Sequence, residues 1–395
     1  MEATSSRSCG AQVETLEARR HFDVTVVMSG LDSPRGLSFG PQGALYVAEA
    51  GKGGDGPMVI RRAETLFYGA SGAVSRLWHG QQERVVSGLP SLALADGSNA
   101  TGPHDVSLEG VGNAYVTIGL GAEPAFRDAL GDLGSQFGRI AHVTPDGGWR
   151  LGADIAAYEQ AVNPDPRVFD SNPYGILVEG GEQIVADAGG NSLLRVAANG
   201  DISTMAVIPP LPPGAAISND PVPTCVTVGP DGAYYVGILS GAPFRNGAAN
   251  IYRVVPGEAP TVYLSGFKTI LDIDFDDTGN LYVIQHSSGV AGLAGPGSLI
   301  RVAAADGART TVLGGLTRPT SVVVGPDQAI YVSEFGTSPG IGRVLRVTAE
   351  AEAAAVATSD VRPTANAFVV TLRGSVLNDL KDERYEDSGG GEVTL

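Results

Sequence analysis

One pattern recurs six times along the chain: a short apolar strand, a tight turn, then a second apolar strand of aliphatic-Tyr-Val type. The copies are SPRGLSFGPQGALYVAEA from Ser33, GPHDVSLEGVGNAYVTIG from Gly102 and NPYGILVEGGEQIVADAGG from Asn172. The other three are VPTCVTVGPDGAYYVGIL from Val222, KTILDIDFDDTGNLYVIQ from Lys268 and RPTSVVVGPDQAIYVSEF from Arg318. Such self-similarity marks an architecture built by stacking, because one unit cannot bury its apolar face alone. In GPDG and DDTGN, Asp and Gly supply the positive-φ positions of a tight hairpin. Tyr46, Tyr115, Tyr235, Tyr282 and Tyr331 hold equivalent places, and Ile184 takes that place in the third unit.

A second pattern follows each copy: a strand of the form aliphatic-x-Arg-Val, a polar turn and one more strand. SLLRVAANGDISTMAVI, NIYRVVPGEAPTVYLSG and SLIRVAAADGARTTVLGG show it clearly, and GAVSRLWHGQQERVVSG and GRIAHVTPDGGWRLG are looser copies. Each unit therefore has four strands, the composition of a propeller blade. Tyr235, Tyr282 and Tyr331 stand 47 and 49 residues apart, within the roughly 40–50 residues of a four-stranded blade. The predicted fold is all-β: a six-bladed β-propeller of four-stranded antiparallel blades. The sixth unit ends on GRVLRVTAE, its third strand. FDVTVVMSGL at Phe22 to Leu31 resembles the outer strands TVYLSGF and TTVLGGL and is expected to supply the fourth, closing the ring and removing exposed edges. EAAAVATSDV after Glu350 is the competing segment. The expected organisation is a leader over 1–21, the propeller over 22–349 and a flexible extension over 350–395.

Composition narrows the partners. Forty-three acidic against 26 basic residues give a net charge of −17, which argues against nucleic acid and an anionic membrane surface. No apolar run approaches the length of a transmembrane helix. Cys9 lies in a polar stretch and Cys225 in an apolar strand, so the two read as unpaired, Cys225 as a small core residue. The N-terminus lacks the apolar core of an ordinary secretory signal. VETLEARRHF at Val13 to Phe22 instead resembles the LEPR-XLL type motif of exported planctomycete-type proteins, with Ala18 in place of its proline. That resemblance implies an exported or cell-surface protein.

In a blade the first strand lines the central channel. The loop entering it and the loop joining strands two and three share one face. The long insertions, 48–72, 89–103, 119–138, 152–172, 209–223 and 239–249, all fall in those two loop types. Function collects on long loops held by a rigid frame, so this elaborated face is the expected functional one. Residues opening the inner strands should ring the channel mouth: Arg35, His104 with Asp105, Asn172 with Tyr174, Thr224, Asp272 and Thr320. Residues closing the second strands add Glu49, Asp187 with Asn191, Gln285 with His286, and Glu334. Asp105, Asn172, Asp187 and Asp272 could hold a hard divalent cation such as calcium through oxygen ligands. His104 beside Asp105 could act as a general base. Phe244 and Arg245 in PFRNGAAN suit ligand contact or loop packing. For each single residue, bracing of a neighbouring loop is the competing reading. No zinc spacing, P-loop or nucleophile elbow is present.

Longer strings carry a family resemblance. DSNPYGI, IVADAGGNSLLRV, VPTCVTVGPDGAYYVGILSGAPFRNGAANIYRV and GFKTILDIDFDDTGNLYVIQ resemble the ScyD/ScyE family of exported propellers, over about Phe22 to Thr348. The resemblance implies export but brings no catalytic residue. Looser likeness extends to NHL-type propellers, streptogramin lyases and the gluconolactonase group, whose metal is held by Glu, Asn and Asp. Here the ring opens on Arg35 and His104 instead. The expectation is a monomeric binding protein for a small molecule, glycan or protein at the channel mouth. A metal-assisted hydrolase or lyase and a purely structural scaffold are the alternatives.

Overall fold

The computed structural model describes residues 22–212, 218–289 and 292–349. The expected leader, the C-terminal extension, Cys9 and the competing segment after Glu350 lie outside the described residues.

The sequence repeat folds as six antiparallel sheets. The chain opens with β1 (Phe22–Leu31). Blade 1 holds β2 (Pro34–Phe39), β3 (Leu45–Glu49), β4 (Met58–Arg61), β5 (Glu64–Trp78) and β6 (Gln81–Ala93). Blade 2 holds β7 (Pro103–Leu108), β8 (Ala114–Ile118), β9 (Arg139–Val143) and β10 (Trp149–Asp154), followed by the helix α1 (Ile155–Val162). Blade 3 is β11 (Pro173–Glu179), β12 (Glu182–Asp187), β13 (Ser192–Val196) and β14 (Ile202–Val207). Blade 4 is β15 (Pro223–Val228), β16 (Tyr234–Ile238), β17 (Ala249–Val254) and β18 (Thr261–Phe267). Blade 5 is β19 (Ile270–Phe275), β20 (Leu281–Gln285), β21 (Gly297–Val302) and β22 (Arg309–Leu316). Blade 6 is β23 (Ser321–Val324), β24 (Ile330–Glu334) and β25 (Gly342–Ala349), with β1 as its outer strand. The first strand thus pairs with the last and closes the ring, as the strand pattern predicts.

The repeated Tyr-Val step explains the packing. Val47, Val116, Val185, Val236, Val283 and Val332 are all fully buried between sheets. Burying each contributes about 1.5–3 kcal/mol relative to leaving it in water.

The inner strands are tied edge to edge by their own side chains. Ser107 Oγ accepts from Val178 N, Thr224 Oγ1 donates to the Ile270 carbonyl, Asp274 accepts from Val324 N, and Ser321 Oγ accepts from Leu37 N. Those ties cross four of the six junctions between neighbouring blades. The junctions of blades 1 with 2 and 3 with 4 close by backbone approach instead. A Cβ on Gly36 would overlap Asp105, and one on Gly175 would sit 2.7 Å from the Cys225 Cα. Cys225 is free and buried, the core role its apolar strand predicts.

Candidate functional site at the channel mouth

Two side-chain layers follow from the shared register of the inner strands. Pro34, Pro103, Pro173, Pro223 and Ile270 pair with the last residue of the second strand in their blades. The next residues in each blade are Arg35, His104, Tyr174, Thr224, Leu271 and Thr320. The layer after that is Gly36, Asp105, Gly175, Cys225, Asp272 and Ser321. Asp272 therefore belongs with Asp105 one step deeper, and Leu271 holds its expected place at the opening. Blades 1 to 3 present Arg, His and Tyr, whereas blades 4 to 6 present Thr, Leu and Thr. The mouth is chemically one-sided.

Most of the carboxylates read from sequence are braces. Glu49 accepts from Asp32 N at 2.6 Å, and Asp187 accepts from Asn172 N at 2.6 Å. Gln285 accepts from Lys268 N at 2.7 Å and Glu334 from Thr317 N at 3.0 Å. In four blades, then, the residue closing the second strand clamps the loop that enters the first. Glu49 also takes Ser75 and Arg84, and Glu334 pairs with Arg343. Asp187 takes Ser171 Oγ, Gly189 N and Gly190 N as well. Asn191 donates to Asp165 and accepts from Val222 N. Asn172 Oδ1 accepts from Leu120 N at 3.0 Å.

The proposed cation ligands are likewise committed. Asp105 accepts from Val106 N and Ile176 N, and Asp272 from Ile273 N, Val322 N and Ser321 Oγ. Among the described residues no group of three or more His, Cys, Asp or Glu side chains is arranged to hold a metal ion. Asp105, Asp187 and Asp272 do not form such a group, and backbone amides take up oxygens of all three and of Asn172. Asp105 and Asp272 keep some accessible surface because they face the channel, yet they lie deep. Burial pushes both carboxyls up, and the Asp272 charge adds to the elevation of Asp105.

The mouth itself is cationic. Arg35 is 9% exposed, donates Nη2 to the Ala100 carbonyl at 2.8 Å, and leaves its buried Nε without a partner. His104 packs against Tyr174 with ring centroids 4.6 Å apart and planes inclined by 37°, and its buried Nδ1 has no partner. Burial holds His104 well below the usual imidazole range, with Arg35 and Arg61 adding to the effect. His286 faces the Pro319 carbonyl through Nδ1 at 3.0 Å and meets Arg318 at Nε2. Burial, then Arg318 and Arg35, lower it to about 4 against the opposing Pro319 carbonyl. Both histidines are thus neutral at pH 7. They interleave with Arg61, Arg35 and Arg318 in one arc. None of these three arginines has a carboxylate within ion-pair distance among the described residues. Arg245, next to Phe244, reaches the Pro212 carbonyl at 3.5 Å in the blade 4 loops.

Sequence reasoning missed Arg61 and Arg62. The insertion 48–72 forms a hairpin, β4 against the start of β5, whose tip is Arg62–Ala63. Arg61 donates to the Leu120 carbonyl and to Thr101 Oγ1, and Arg62 pairs with Asp170. Behind that pair, burial and neighbouring carboxylates raise Glu159 to about 8; burial raises Asp170 to about 6, with Arg62 opposing.

No helix among the described residues is long and apolar enough to cross a membrane. No protein-family model matches the chain, and no curated protein matches it in sequence. Solved structures do match in fold. A protein of unknown function from Bacteroides thetaiotaomicron superposes with a TM-score of 0.54 at 8% identity, over 84% of this chain and 77% of that one. A soluble aldose sugar dehydrogenase from Escherichia coli gives 0.50 at 16% identity, over 83% of this chain and 100% of that one. A streptogramin B lyase gives 0.46 at 12% identity, over 83% and 97%. At such identities the likeness shows the fold alone, a six-bladed β-propeller.

Proposed function

We propose that this chain is an exported propeller of ScyD/ScyE type that binds a small organic anion, a carboxylate or phosphate ester, at the channel mouth. The observation that carries the reading is Arg35, buried and without a carboxylate partner, between two neutral histidines. A buried guanidinium lacking a counter-charge is costly, and an anionic ligand offsets that cost. Arg61 and Arg318 flank it on the two sides of the arc. An anion beside His104 also favours protonation of its free Nδ1, so binding draws in a proton and strengthens as pH falls.

Calorimetric titration with citrate, malate and inorganic phosphate tests this. At least one is expected to bind, more tightly at pH 5.5 than at pH 8. Arg35→Gln should weaken it about tenfold or more, the scale of a hydrogen bond to a charged group. Arg318→Gln, at the far side of the arc, should weaken it less. Failure of all three anions to bind, or equal affinity in Arg35→Gln, refutes the reading.

A second reading has one observation of its own. The Nδ1 of neutral His104, whose ring lies tilted against Tyr174, is a buried base without a partner behind the same mouth. It favours proton-transfer chemistry of a lyase kind over the metal-assisted version, for which the carboxylates are already committed to amides.

A further inference from the structure

The opposite, plain face carries a regularity that blade 1 breaks. In blade 6 the turn residue Asp327 accepts from the Tyr331 hydroxyl at 3.0 Å and from Arg346 at 2.8 and 2.9 Å. In blade 4 Asp231 accepts from Arg253 at 2.6 Å beside Tyr235. In blade 5 Asp276 takes Tyr282 and its neighbour Asn280 takes Arg301. A turn oxygen therefore answers the tyrosine of strand two and the arginine of strand three. Blade 1 has the same pair, Tyr46 and Arg76, but its turn reads GPQG. Gln42 stands where GPDG and GPDQ carry aspartate.

The consequence is an open cleft. Arg76 turns to Glu83 on the adjoining strand, with Nε 3.1 Å from Oε1. The Tyr46 ring is buried, 6% exposed, and its hydroxyl meets Arg76 but no carboxylate. Both line a cleft of about 320 Å³ between blade 1 and the turns of blade 2. Val85 and Pro145 contribute apolar wall over the buried Val74, Val86 and Ala114, and Glu83 and Asp146 supply acceptors. A smaller adjoining recess is lined by Gln42 and Trp78, the latter 37% exposed.

We propose that this cleft binds a neutral saccharide of one or two rings, at a site separate from the channel mouth. The sign of the lining decides against charged ligands. An anion meets Glu83 and Asp146, and a cation meets Arg76 and Arg84. A polyol offers a donor and an acceptor at every hydroxyl, matching the donors Tyr46 and Arg76 and the acceptors Glu83 and Asp146 that line the same cleft. Its C–H faces suit the wall of Val85 and Pro145. The volume lies at the lower end of small-molecule sites, which run from about 300 Å³ upward.

Saturation-transfer NMR on the full chain with methyl glucoside, maltose, cellobiose and lactose tests the proposal. At least one sugar should show transfer. Tyr46→Phe should weaken it about fivefold, the scale of one hydrogen bond. Gln42→Asp restores the carboxylate that the other turns carry, so it should weaken binding similarly while leaving the melting temperature unchanged or higher. Arg35→Gln should have no effect, which separates this site from the mouth. The proposal fails if no sugar shows transfer, if transfer survives unaltered in both Tyr46→Phe and Gln42→Asp, or if it is lost only in Arg35→Gln.

Discussion

The carboxyl of Asp272 offers a direct test of how the channel is held. It accepts from Val322 N at 3.0 Å and from Ser321 Oγ, both on the neighbouring blade, and from Ile273 N at 2.9 Å. Burial raises it from 3.8 to about 7. The folded protein therefore holds a proton there that the unfolded chain has released above pH 4. Stability tied to this group is full at acid pH and falls as pH rises through the folded value. Each unit is worth about 1.4 kcal/mol, so raising the pH from 5 to 8 costs wild type at most about 3 kcal/mol through this group. Asp272 keeps some accessible surface, and solvent screening there brings that down to about 1.5 kcal/mol. Asp272→Asn keeps the shape and cannot ionise, but one of its donors faces a donor. It should cost about 1 kcal/mol at pH 5. By pH 8 the difference between variant and wild type should have moved about 1.5 kcal/mol in favour of asparagine. Urea denaturation at the two pH values measures it. Taking the difference cancels the opposite contribution of His104 and His286, whose buried neutral forms lose stability as pH falls below the ordinary imidazole value. Asp272→Ala should lose about 2–4 kcal/mol at pH 5, since two groups on the next blade lose their acceptor, and about 1.5 kcal/mol less at pH 8, because alanine cannot ionise either. A difference that stays flat with pH, or that turns against asparagine at pH 8, refutes the account of a raised carboxyl.

Two further perturbations probe the frame around the site. A Cβ on Gly119 would overlap the His104 ring, so Gly119→Ala should displace His104 and lower the melting temperature by several degrees, roughly 1–3 kcal/mol of overpacking; a thermal melt and loss of the His104–Tyr174 ring-current shift in NMR check it. Deleting Phe22–Leu31 uncovers the edge of β25 and removes the buried Met28 and Leu31, so the shortened chain should aggregate or elute as a broad oligomer in size-exclusion chromatography; a stable monomer with an unchanged melting temperature would count against ring closure by β1.

The fold was legible because its signals are local and repeated. Six Tyr-Val type strands and the turns GPDG, GPDQ and DDTGN each carry hairpin chemistry in a few residues. The hairpin of β4 and β5 was not legible, and its turn shows why. Arg62 and Ala63 both take positive φ, 47° and 69°, at positions where Gly or Asn would advertise a two-residue turn. Nothing in RRAE announces it. The candidate site was half legible. The repeat register, legible in the sequence, puts Arg35, His104 and Tyr174 at one level of the inner strands. It cannot tell a carboxylate that awaits a ligand from one that clamps a loop, because Glu49, Asp187 and Glu334 look the same in sequence either way. Their shared position at the end of strand two was the available clue. A polar residue that recurs at one repeat position in several blades serves the blade, whereas Arg35 and His104 have no counterpart in blades 4 to 6.

That distinction also resolves a tension in the charge. A chain with a net charge of −17 is an unpromising receptor for anions if charge is read globally. Many of its carboxylates, however, are consumed internally: Glu49 by Asp32 N and Arg84, Asp187 by Ser171 and three backbone amides, Asp105 and Asp272 by the strands beside them. Arg61, Arg35 and Arg318 are left facing the mouth with carbonyl, hydroxyl and imidazole partners only. At physiological salt, charges farther away than about 8 Å are largely screened. A ligand at the mouth therefore responds to the local guanidiniums in preference to the distant acidic surface. The net charge governs how the whole molecule meets other macromolecules. The unshared arginines govern what enters the channel.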